Sequence, residues 1–71
     1  MKTETIRKIA IEEGLQEDKI NLFVEFFNSR FPHESDNIRY YCAEWVNRFK
    51  SNPVRYMDEE SEQIYLKVVN K

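Results

Sequence analysis

The chain has 71 residues, 41% hydrophobic and 34% charged, with a formal net charge of −2. That is apolar material for one core and not for two, so residues 1–71 are expected to form a single helical domain. The near-neutral charge excludes a surface that binds polyanions all over, while leaving room for a local basic patch.

One glycine and two prolines leave few turn positions, which favours an all-α chain of helices on short loops. The first helix is expected to start with Thr3 or Thr5 as cap and run to Glu13, with Ile6, Ile9 and Ala10 inward. Gly14 ends it, because a residue just past a helix often takes the left-handed conformation that glycine accepts without penalty, and Leu15 can then fold back onto the last turn. The second helix begins near Gln16 to Asp18, whose acidic neighbours suit the positive end of the helix dipole, and continues to about Arg30. Ile20, Phe23, Val24, Phe27 and Phe31 form its main stripe. Leu22 and Phe26 widen that stripe to ~200°, against the ~100° a simple surface helix needs. Two explanations fit: the helix lies between two neighbours, or Leu22 and Phe26 stay exposed and meet a partner chain.

Pro32 stops the second helix, and His33 to Asp36 reads as a polar turn in which Ser35 or Asp36 caps the next one. The third helix, Ile38 to Phe49, has the cleanest periodicity and reads as the central element. Ile38, Tyr41, Cys42, Trp45, Val46 and Phe49 make one continuous stripe. Trp45 at its middle is the expected anchor, and its truncation to alanine should cost ~3–5 kcal/mol. Ser51, Asn52 and Pro53 end this helix, and Pro53 can open a single helical turn through Met57. Asp58 is then the expected cap of a shorter last helix, with Ile64, Tyr65 and Val68 inward and Val69 at the edge. The whole is expected to be a small orthogonal bundle around Trp45, Phe23, Phe27, Ile9, Phe49 and Ile64.

Three groups of residues invite a functional reading. Ile9, Ala10, Gly14, Leu15, Ile20 and Phe23 have the spacing of a helix-turn-helix, but Gln16, Glu17, Asp18, Asn21 and Leu22 on the would-be recognition helix bring two carboxylates toward phosphate, and Glu13 stands where an apolar residue is usual. Charge is also segregated along the chain. Residues 1–37 carry −3, residues 38–57 carry +3 and the remainder −2. The basic middle, with Arg39, Arg48, Lys50 and Arg55 beside Tyr40 and Tyr56, is either a nucleic-acid surface or the solvated side of a core helix neutralised by acidic neighbours. Tyr40 points off the Trp45 stripe and is a fair interface anchor or simply an exposed aromatic.

Chemistry finds little to work with. His33 and Cys42 are the only histidine and cysteine, they lie in different elements, and one of each cannot make a structural zinc site. No phosphate-cradling loop is possible with one glycine. No catalytic set, cofactor, metal or small-molecule substrate is therefore expected. A lone cysteine on a core stripe fits a reducing compartment, and the N-terminal segment lacks the apolar run of a secretory signal, so the cytoplasm is the expected location with no membrane partner.

The run Glu44-Trp45-Val46-Asn47-Arg48-Phe49, followed by Pro53, Tyr56-Met57-Asp58 and Tyr65, resembles a pattern in short uncharacterised helical proteins of gut Bacteroides-type bacteria. It covers about the C-terminal third. The resemblance implies a small helical fold and no activity. The expected function is a non-enzymatic module that binds a protein partner or itself, with an accessory or regulatory role in a mobile element as one setting. The alternative is a nucleic-acid binder using the helix-turn-helix-like corner or segment 38–57.

Overall fold

The computed structural model describes residues 2–33, 36–51, 55 and 57–70, and among these every regular element is helical. The four helices are α1 (Lys2–Glu12), α2 (Glu17–Arg30), α3 (Ile38–Lys50) and α4 (Glu59–Val69). The first and last each have 11 residues, against 14 and 13 for the middle two. Helix α1 begins at Lys2 rather than behind a threonine cap, so Thr3 and Thr5 lie within it. Thr3 Oγ1 instead accepts a hydrogen bond from Asn28 Nδ2 on α2, at 3.3 Å.

The α1–α2 corner forms where glycine permits it. Gly14 has φ of +83°, which an L side chain adopts only with strain. The Leu15 amide then bonds back to Ala10 O and the Gly14 amide to Ile11 O, both at 3.0 Å. These two bonds are the paired closure of a Schellman turn, which satisfies carbonyls the helix end would otherwise leave open. Leu15, carried back by that turn, is buried.

Helix α2 packs most extensively against α1 and α4 and also meets α3, while α1 meets α3 and Phe49 of α3 reaches Tyr65 of α4 at 5.6 Å. The wide apolar arc of α2 is explained by having neighbours on several sides. Phe26, offered by its position at the side of the stripe as a partner-surface residue, is fully buried, and that reading is corrected. Its ring centroid lies 5.2 Å from that of Trp45, 5.3 Å from Phe49 and 6.3 Å from Tyr65. Tyr65 arrives on α4, so the last helix closes over the side of α2 that the sequence left open. Phe23 joins the same cluster edge-on to Phe49 at 5.1 Å.

Pro32 ends α2 as expected: its last helical residue is Arg30, and Phe31 leaves the helix at φ −127°, ψ 75°, out of the helical region that a following proline disfavours. Asn37, not Asp36, occupies the residue before α3; the other candidate cap, Ser35, lies outside the described residues. So do Asn52, Pro53, Val54 and Tyr56, on which the expected single turn falls. Asp58 does stand at the head of α4, in extended conformation with ψ 167°.

Candidate functional site

Three hollows among the described residues bear on function. One, about 420 Å³, sits on the α1–α2 corner between Arg7, Ile11, Leu15, Glu17, Ile20 and Asn21. Its charges oppose one another, and Arg7 Nη1 is already bonded to Asn21 Oδ1 at 2.9 Å. A second, about 330 Å³, follows α2 and α4 between Glu25, Ser29, Ile64, Lys67 and Val68. The third holds about 230 Å³ between Lys2, Phe27, Phe31, His33, Ile38 and Tyr41. Of these three, the last combines mostly apolar walls with basic groups and no acidic ones.

Its walls come from helix ends. Helix α2 delivers Phe27 and, one residue past its end, Phe31, while α3 opens with Ile38 and Tyr41. The Lys2 ammonium, at the head of α1, donates to the Phe31 carbonyl and ties the head of α1 to the end of α2. Tyr41 belongs by spacing to the core stripe of α3, yet it is 41% exposed, whereas Cys42, Trp45, Val46 and Phe49 on the same stripe are buried. The stripe thus runs off the covered part of the core at its N-terminal end. Tyr41 lies nearly parallel to Phe31, 6.1 Å away at 21°, and Phe31 reaches Trp45 at 6.3 Å. Tyr40, 61% exposed, stands edge-on to Tyr41 at 5.4 Å. A ladder of rings therefore leads from the buried indole out to solvent.

Of the expected partner residues, Tyr40 is at the surface, Leu22 is half-buried against the core and Phe26 is wholly interior. The sequence does not show the ring ladder, because periodicity alone places Tyr41 and Phe31 on core stripes. Phe31's place beside a proline was the available signal that its helix had already ended.

The basic segment is dispersed. Arg39 Nη1 pairs with Glu12 Oε2 on α1 at 3.3 Å. Arg48 Nη2 pairs with Glu44 Oε1 at 2.8 Å and lays its guanidinium over Trp45, 4.3 Å from the ring centroid. Nine residues apart on a helix, Arg39 and Arg48 point about 180° away from each other. Lys50 shares the Arg39 side but lies ~16 Å along the axis, and its ammonium reaches toward Gly14. Arg55 is exposed beyond the end of α3. Arg48 and Lys50 also suit the negative end of the α3 dipole. At the helix-turn-helix-like corner, Gln16, Glu17, Asp18 and Asn21 are all exposed, presenting carboxylates rather than bases.

Cys42 is buried and its Sγ donates to Ile6 O at 3.8 Å. Burial first, and Glu13 second, push the thiol up to about 12, against the opposing pull of Arg39. It therefore stays a thiol, and a thiol is a poor nucleophile. Among the described residues no cluster of three potential metal ligands occurs, and no helix is long and apolar enough to cross a membrane. No protein-family model, curated protein or solved structure matches the chain.

Proposed function

We propose that the chain is a small, cytoplasmic, non-enzymatic interaction module, folded as an orthogonal bundle, which binds a protein partner through the face around Tyr40 and Tyr41. One observation carries this reading: the ring ladder from Trp45 through Phe31 and Tyr41 to Tyr40 ends in solvent beside an apolar hollow. Aromatic side chains anchored in this way make large contacts at low entropic cost, which is why they dominate protein interfaces. The nucleic-acid alternative is disfavoured by the carboxylate partners of Arg39 and Arg48 and by their opposite directions on α3.

Affinity capture with the tagged chain, compared with its Tyr40→Asp variant, tests the proposal. Aspartate in the first turn of α3, which has no acidic residue of its own, suits the helix dipole, so the fold survives. The parent retains a protein that the variant loses, and labelled duplex DNA or RNA gives no salt-sensitive anisotropy change with either. Equal capture by both proteins would overturn the reading.

A further inference from the structure

We infer that the hollow between the ends of α1, α2 and α3 takes one bulky apolar side chain of an acidic partner segment, with carboxylates beside that side chain meeting Lys2 and His33. This rests on the interaction reading above and specifies the partner's chemistry. The volume, about 230 Å³, admits one large side chain and little more. Its walls are Phe27, Phe31, Ile38 and Tyr41, and the two polar residues that line it, Lys2 and His33, are both bases. An ammonium carries three donors, so a carboxylate can join the Phe31 carbonyl on the Lys2 group. A basic partner segment would bring like charge against Lys2, and a neutral one would leave the lysine uncompensated as water is excluded. A nucleobase is a poorer occupant, because stacking needs an open ring face, while Tyr41 turns a face to Phe31 and stands perpendicular to Tyr40.

The test is a titration followed by backbone amide NMR with capped tripeptides of three kinds: phenylalanine flanked by aspartates, by asparagines and by lysines. A fourth peptide has alanine between aspartates, and adenosine monophosphate is the nucleotide probe. The aspartate-flanked phenylalanine peptide is expected to shift the amides of Phe31, His33, Ile38 and Tyr41 and to bind about tenfold more tightly than the asparagine-flanked one, the effect of a charge-assisted hydrogen bond. The lysine-flanked and alanine peptides bind more weakly still. In a Lys2→Gln, His33→Gln protein the tenfold preference disappears while the dependence on phenylalanine stays. Should that double variant fail to fold, His33→Gln alone, at an exposed position, must still reduce the preference.

Equal binding of charged and neutral peptides, shifts centred elsewhere, or tighter binding of the nucleotide would overturn the inference. So would shifts of the same amides on diluting the protein alone from ~1 mM to ~50 µM, since the occupant would then be a second copy. If no tripeptide binds while Tyr40→Asp still abolishes capture, the inference fails and the interaction reading stands.

Discussion

Arg30 Nε on the last turn of α2 donates to Ser61 Oγ on α4 at 2.8 Å, across 31 positions of sequence. Ser61 is wholly buried and donates in turn to Asp58 Oδ1 at 2.6 Å. One hydroxyl thus accepts from a cation and donates to an anion, fastening the start of α4 to the end of α2. Ser61→Ala removes that link and leaves a half-buried guanidinium short of a partner, so a loss of about 1–3 kcal/mol is expected. Urea unfolding measures it, and a loss below ~0.5 kcal/mol would mean the link is replaced by water.

Acid should loosen the same fastening. The Ser61 hydroxyl, ahead of all other causes, holds the Asp58 carboxyl below its ordinary value; desolvation, next in size, opposes it, and backbone hydrogen bonds and Arg30 add smaller contributions in the lowering sense. A carboxyl lowered in the folded state adds stability above the unfolded value of about 3.9 and loses it as pH falls from there through the folded value. Thermal unfolding of Asp58→Asn from pH 6 down to ~2.5 should show a shallower acid decline than the parent. Identical curves would contradict this role for Asp58.

Alkali acts through Cys42. Because its thiol is raised to about 12 in the folded chain, the unfolded chain ionises first, near 8.5. Native stability from this group is complete below that pH and declines from there up to about 12. At pH 8, an aromatic disulfide reagent should label native Cys42 more than ~100-fold more slowly than the urea-unfolded chain, at a rate set by opening of the core. Labelling at the unfolded rate would show that Cys42 is accessible.

The α1–α2 corner depends on backbone conformation more than on space. A Cβ at Gly14 would meet only the Lys50 side chain, at 3.5 Å, an ordinary contact, so the cost of Gly14→Ala is that of φ +83°, about 1–2 kcal/mol. Gly14→Asn should cost visibly less, because asparagine tolerates the left-handed region. Chemical denaturation of the two variants ranks them, and equal losses would point to side-chain crowding instead.

These features differ in how far the sequence revealed them. Gly14 and Leu15 were legible, because one glycine behind a periodic run has few other uses. The buried Phe23, Phe27, Trp45 and Phe49 followed from period alone. Phe26 did not, since periodicity gives the width of an apolar arc but not the number of helices that will cover it. Ser61 was within reach: it precedes Ile64, Tyr65 and Val68 by three, four and seven residues and so lies on their stripe, but hydrophobic patterning passes over a serine. The exposure of Tyr41 was out of reach, because it depends on where α1 and α2 end in space and not on α3 itself. The same holds for the carboxylates that meet Arg39 and Arg48, of which only Glu44, four residues before Arg48, was visible along the chain.

The most direct measurement is amide hydrogen exchange of the chain alone and bound to the protein it captures. The account predicts slowing confined to the amides of Phe31, His33 and residues 38–41, which include Ile38, Tyr40 and Tyr41. Slowing centred on residues 16–22 or 47–51, with 38–41 unchanged, would place the interface on the helix-turn-helix-like corner or the basic end of α3 and contradict it.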